Sequence, residues 1–194
     1  MIKVYCRRLG CGLAAMLMGA VALYGAGYGG SEVSLGYSYV RANAPPGECG
    51  CFNINGFSGE FATGVGHGLS IVADLGAYHQ GNVVSSGLSL WVVNYLFGPR
   101  YSYHRSKHWT PFVQFLVGGA HGSGTIYNPS TSVPGSPNAF SLSAGGGLDW
   151  KATRHISIRL FQAEYLNTRL PNSATNEQNN FRLTAGVVFH FGKK

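Results

Sequence analysis

From residue 181 to 191 the chain reads FRLTAGVVFHF, and every odd position (Phe181, Leu183, Ala185, Val187, Phe189, Phe191) is apolar. The even positions Arg182, Thr184, Gly186 and His190 are small, polar or charged, with Val188 the exception. Side chains alternate across a strand, so this segment is a β-strand between two unlike environments. Wound as a helix, it would spread its aromatics around the whole cylinder. Seven further stretches alternate in the same way, at residues 33–42, 54–65, 69–79, 87–103, 111–121, 139–151 and 155–166. In 139–151, for example, Phe140, Leu142, Ala144, Leu148 and Trp150 oppose Ser141, Ser143, Gly145, Gly147 and Asp149. Two blemishes interrupt the pattern. Pro99 cannot donate to a strand ladder and predicts a bulge in the fourth strand. In the seventh strand Gln162 and Glu164 fall on the greasy side, which requires either a bulge that flips the register or an exit from the apolar layer at that point.

The connections separate two architectures that share such strands. In a soluble sandwich the apolar face looks inward onto a core, whereas in a membrane barrel it looks outward onto lipid. Here the connections alternate in length: 43–53, 80–86, 122–138 and 167–180 are long and rich in Pro, Gly, Ser and Asn, while 66–68, 104–110 and 152–154 are short. An up-and-down barrel inserted from one side has this layout, and a sandwich has no reason for it. The predicted strands also match the ~9–11 residues that a tilted strand needs to cross a bilayer. The expectation is therefore an all-β chain, an eight-stranded antiparallel up-and-down transmembrane β-barrel. Its short turns and both termini lie in the periplasm, and its long loops lie outside the cell.

The first 29 residues change the domain picture. Lys3, Arg7 and Arg8 precede an apolar run to Leu23 and a small-residue stretch from Gly25 to Gly30, the three-part layout of a cleavable secretory signal. Residues 1–29 are read as the signal peptide and 30–194 as the barrel domain. Removing those three basic residues, with no acid among them, lowers the formal charge of +7 to +4. That mild charge, with no basic stripe carrying interleaved aromatics, excludes nucleic acid as a partner. Charged residues make up only 11% of the chain and glycine is abundant, which suits a narrow barrel lined by small groups. Of the four cysteines, Cys49 and Cys51 remain after cleavage as a C-G-C in the first long loop, read as a local bridge at a loop tip. No further thiol or suitably spaced histidine supports a metal there, and no cofactor is expected.

Several stretches then carry a family likeness: F-S-G-E at Phe57 to Glu60, F-G-P-R-Y at Phe97 to Tyr101, P-F-V-Q-F-L-V-G-G-A at Pro111 to Ala120, and the aromatic end at Phe189 and Phe191. With these the chain resembles the small bacterial outer-membrane β-barrels, the eight-stranded OmpA-type transmembrane domain and its relatives, over about residues 31–191. The resemblance implies an outer-membrane location, and contact with outer-membrane lipids and lipopolysaccharide. It also implies delivery by periplasmic chaperones to the barrel-assembly machinery and a monomeric state.

If the apolar faces look outward, the inner faces collect Glu60, Asp74 and Asp149 with Arg100, Arg159 and Arg182, together with Gln114, Tyr78 and His190. Charges withdrawn from water need partners, so this set is expected to form a paired polar network that fixes the lumen. A gated polar path through the same groups is the rival reading. An enzymatic role is not expected. His121-Gly122-Ser123 has the His–Ser spacing of lipid A deacylase barrels, but it lacks the Asn that follows in those enzymes and has no acid nearby. His67, His104, His108 and His155, with Arg105, Lys107 and Arg154, make the short-turn rim basic, suited to phospholipid headgroups. The functional expectation is a structural or surface-interaction barrel acting through its loops. The alternative is a narrow pore or uptake barrel for small or hydrophobic solutes.

Overall fold

A computed structural model describes residues 30–42, 51–83, 88–104, 106–125, 135–171 and 176–192. The expected signal peptide lies outside them. Eight strands follow one another: β1 (Ser31–Ala42), β2 (Phe52–Gly66), β3 (Leu69–Gln80), β4 (Leu90–Ser102), β5 (Trp109–Ser123), β6 (Asn138–Lys151), β7 (Ile156–Thr168) and β8 (Gln178–Phe191). Each pairs antiparallel with the next, and β8 returns to β1 to close the barrel. Closure leaves no unpaired strand edge, the condition for a β-structure to sit in hydrocarbon. Several strands extend beyond the alternating stretch seen in the sequence, because the ladder continues through polar residues such as Gln178–Asn180.

The tightest connection is the β2–β3 hairpin. His67 (φ 54°) and Gly68 (φ 81°) both lie in the left-handed region, as a two-residue turn matched to strand twist requires. Gly68 has a second reason to lack a side chain, since a Cβ there would stand 2.6 Å from the Ser102 carbonyl oxygen.

Register irregularities fall at Gly64/Gly66, at Leu148/Asp149 and at Arg159/Gln162. The bulge expected at Pro99 is absent. Pro99 sits in unbroken register opposite Ile71 of β3, and the β4–β5 ladder resumes at Arg100↔Gln114 in the register it had at Phe97↔Val117. The missing N–H is thus tolerated without an inserted residue. The seventh strand does contain a bulge. Leu160 and Phe161 both face outward, after which Gln162 and Glu164 turn into the lumen.

The faces are sorted as a membrane barrel sorts them. Phe57 is 70% exposed on the outside, and Leu35, Leu75, Phe97, Val113 and Phe115 are exposed beside it. Such a continuous apolar belt has no counterpart on a soluble monomer. Aromatics mark both rims. At the short-turn end Trp109 and Trp150 are cross-strand partners, with Tyr101 and Phe191 at the same end. At the long-loop end Trp91 stacks on its register partner His79, ring centroids 4.3 Å apart, and Tyr165 faces Phe181. Rings with an apolar body and a polar tip favour the two membrane interfaces.

Inside, the long-loop end is closed by an apolar cluster of Val40, Ile54, Leu90 and Val92 from the strands with Val83 and Leu170 from the loops, all buried. A second group, Ala62, Val72, Leu96, Leu116 and Leu166, packs across the lumen. No helix among the described residues is long and apolar enough to cross a membrane, and the apolar outer face belongs to strands instead.

Candidate functional site

The most elaborate arrangement of side chains is the ionic layer within the barrel. Inward positions on β2, β3, β4, β5, β6, β7 and β8 supply Glu60, Asp74, Arg100, Gln114, Asp149, Arg159 and Arg182, and all seven are buried. β7 adds Gln162 and Glu164, which the bulge turns inward. None of Glu60, Asp74, Arg100, Arg159, Glu164 and Arg182 is more than 4% exposed. Four carboxylates therefore meet three guanidinium groups, where sequence alternation alone assigns three acids.

Two overlapping centres make up the layer. In the first, Glu60 is the hub: it accepts from Arg100 Nη2 and Arg159 Nη1, from Gln114 Nε2 at 3.0 Å, from Gln162 Nε2 at 2.8 Å and from Ser34 Oγ at 3.2 Å. Arg159 turns its other side to Asp149 in a forked pair, Nε to Oδ1 at 2.9 Å and Nη2 to Oδ2 at 3.1 Å. The Phe112 ring lies under both guanidinium groups, 4.5 Å from Arg100 and 4.6 Å from Arg159, an attractive cation–π geometry. In the second centre Arg182 donates from Nε to Glu164 at 2.7 Å and from Nη1 to the Tyr78 hydroxyl at 2.9 Å. Its Nη1 also lies 2.7 Å from Asp74 Oδ2, a contact of opposite charges without hydrogen-bond alignment, since neither Asp74 oxygen has a hydrogen-bond partner among the described residues. Gln114 joins the centres by donating to both Glu60 and Glu164, and Ser143 donates to Glu164 at 2.9 Å.

This arrangement can hold strands together across the lumen. A buried guanidinium must satisfy five N–H groups in a fixed fork, and a carboxylate accepts along several directions. Arg159, for instance, ties β7 to β2 and β6 at once. Asn94, wholly buried, has no hydrogen-bond partner for its side-chain amide among the described residues.

The other candidates lie apart. His190 links Glu32 (Nδ1 to Oε1, 3.1 Å) to Ser157 (Nε2 to Oγ, 2.7 Å) at the short-turn mouth. His121 is held by Asn138 through Nδ1 at 2.8 Å and by Ser136 through Nε2 at 3.2 Å. Its β6 neighbour Asn138 is at the opposite end of that strand from Asp149, so no acid of β6 reaches it. Cys51 is exposed, and Cys49 lies outside the described residues, as does Arg105 of the basic rim. Among the described residues no group of His, Cys, Asp and Glu has the arrangement of a metal site.

A closed eight-stranded barrel with an apolar belt, two aromatic rims and a buried ionic layer in its lumen is an outer-membrane-type transmembrane β-barrel. Solved structures of that class share the fold. Neisserial surface protein A superposes with a TM-score of 0.63 at 14% identity, covering 83% of this chain and 97% of that one. Ail, the attachment invasion locus protein of Yersinia pestis, gives 0.58 at 18% identity, covering 84% and 99%. The outer membrane protein OprG of Pseudomonas aeruginosa gives 0.55 at 10% identity, covering 86% and 97%. No protein-family model and no curated protein matches the sequence.

Proposed function

We propose that this chain is an integral barrel of the bacterial outer membrane. Its termini and short turns face the periplasm, and its long loops meet other cells or molecules outside. The observation that carries this reading is the filled lumen. An ionic layer with every charged group nearly solvent-free shares the interior with two apolar clusters, one of which brings Val83 and Leu170 down from the loops over the long-loop end. A solute crossing the barrel would have to break buried ion pairs and dehydrate against the apolar cluster, whereas the loops need no such rearrangement to bind. Among the structural neighbours, Ail is an attachment protein by name and has also been solved in complex with the heparin analogue sucrose octasulfate, which supports a surface-contact role for the loops here. The barrel acts as a monomer, its belt covered by lipid and lipopolysaccharide. It reaches the membrane by way of periplasmic chaperones and the assembly machinery.

Two measurements test this reading together. Reconstituted in a planar bilayer, the folded barrel is expected to show no reproducible conductance steps. Cells displaying it are expected to bind a host-cell monolayer, and to lose that binding when residues 126–134 or 43–50 are replaced by short Gly-Ser turns. Reproducible steps, with adhesion indifferent to the loops, would replace the proposal by the narrow-pore alternative.

A further inference from the structure

The short-turn mouth of the barrel holds two adjoining cavities of about 380 and 320 Å³ that share Gly30, Glu32 and Lys151 in their walls. Three cations from separate places line them: Lys151, at the last position of β6, lines both, Arg154 of the β6–β7 turn lines the first and Lys107 of the β4–β5 turn lines the second. The backbone on which they stand is pinned, since Lys151 N–H donates to the His108 carbonyl at 2.7 Å and Thr153 N–H to the Ile156 carbonyl at 2.9 Å.

Among the described residues the acid side of this mouth is a single residue. Glu32 is the one carboxylate that they place in either wall, and it is engaged by His190, whose ring is fixed from its other nitrogen by Ser157. None of Lys107, Lys151 and Arg154 takes part in an ion pair among the described residues, whereas every arginine of the lumen does. The imidazoles of His67, His104 and His155 also line the walls. Lys151 is half-buried, so part of its hydration is already lost, and a bound anion would meet it at less desolvation cost.

We propose that this mouth binds a phosphoryl group, held between Lys107, Lys151 and Arg154. A planar carboxylate is met by one fork, whereas a tetrahedral, multiply charged anion presents acceptors toward several cations at once, as three donors on three separate segments require. The cavities have room for the group and its carrier. The inference stands apart from the adhesive reading of the long loops, because it concerns the opposite end of the barrel. The phosphoryl group can arrive as a free phosphate compound along the barrel axis or as a lipid headgroup over the rim.

The test uses the folded full barrel in an uncharged maltoside micelle, followed by backbone amide NMR during titration with inorganic phosphate, then short-chain phosphatidic acid, then acetate. Saturable shifts confined to the Lys107, Lys151 and Arg154 region are expected with a phosphoryl probe and not with acetate. Saturation by both phosphoryl probes identifies axial access, and saturation by the lipid alone identifies a headgroup site. The Lys151→Gln/Arg154→Gln variant is expected to weaken binding at least about 10-fold, equivalent to ~1.4 kcal/mol, with unchanged heat-modifiable gel migration. Lys107→Gln, on an exposed turn, gives an independent several-fold loss. Shifts that never saturate, equal response to acetate, or variants that bind as well as the parent would overturn the proposal.

Discussion

Replacing Arg182 by methionine is expected to cost the barrel about 3–5 kcal/mol of unfolding free energy, the usual scale for removing one partner of a buried ion pair. Arg182 is wholly buried, and its guanidinium faces two carboxylates, Glu164 with Nη2 to Oε2 at 2.6 Å and Asp74 at 2.7 Å. Both acids are themselves no more than 1% exposed. Methionine restores most of the volume but none of the charge, so two like charges are left facing one another with water excluded. The loss should appear as a lower urea midpoint for unfolding from lipid vesicles, followed by tryptophan fluorescence. Neutralising the acids in the same chain, with Asp74→Asn and Glu164→Gln added to Arg182→Met, is expected to recover a large part of it, because the cost lies chiefly in the stranded charges rather than in the missing bond. An unchanged midpoint in Arg182→Met would contradict the pairing.

Glu60→Ala is expected to be of similar size, about 3–5 kcal/mol, for the reverse reason. Glu60 is the shared acceptor of Arg100 and Arg159 and of two glutamine amides. Without it Arg100 retains, among the described residues, only the Gln114 side-chain carbonyl oxygen as a hydrogen-bond acceptor, at 2.8 Å from Nε. Arg159 still has Asp149. Both guanidinium groups also approach the same Phe112 ring, so the acid's removal leaves two cations sharing one aromatic surface, with the Asp149 carboxylate paired to Arg159 and none to Arg100. Glu60→Gln keeps an acceptor in place and loses only the charge, so its midpoint should fall between those of the parent and Glu60→Ala. If Gln and Ala are equally harmful, the charge of the carboxylate carries the whole effect and its shape and neutral acceptor contribute nothing.

Much of the architecture is legible in the sequence because membrane barrels obey a period of two with few exceptions. Phe115 and Gln114 belong to opposite faces by position alone, and the alternation of long and short connections distinguishes a barrel from a sandwich. Legibility ends where one residue changes the parity. In β7 the adjacent apolar pair Leu160-Phe161 and the polar Gln162 and Glu164 that follow on the greasy side admit either a bulge or an exit from the apolar layer, and the structure contains the bulge. Taken as a bulge, that pair would have supplied the fourth lumen acid. Pro99 misleads instead: a residue that often marks a bulge is accommodated here in unbroken register. The apolar closure of the long-loop end was not readable either, since Val83 and Leu170 come from loops that have no periodicity to interpret. Pairing partners such as Arg182 with Asp74 and Tyr78 depend on which inward rows meet across a closed, tilted sheet, and spacing along one strand carries no record of that.

The orientation of the two faces is tested most directly by methyl NMR of the barrel in bilayer nanodiscs containing a lipid with a nitroxide on its acyl chain. Signals of Leu35, Leu75, Val113 and Leu183, on the outer belt, are expected to broaden strongly. Those of Val72, Leu96, Leu116 and Val188, enclosed in the lumen, are expected to stay sharp. Broadening of the enclosed set with the belt spared would mean that hydrocarbon meets the face assigned here to the interior.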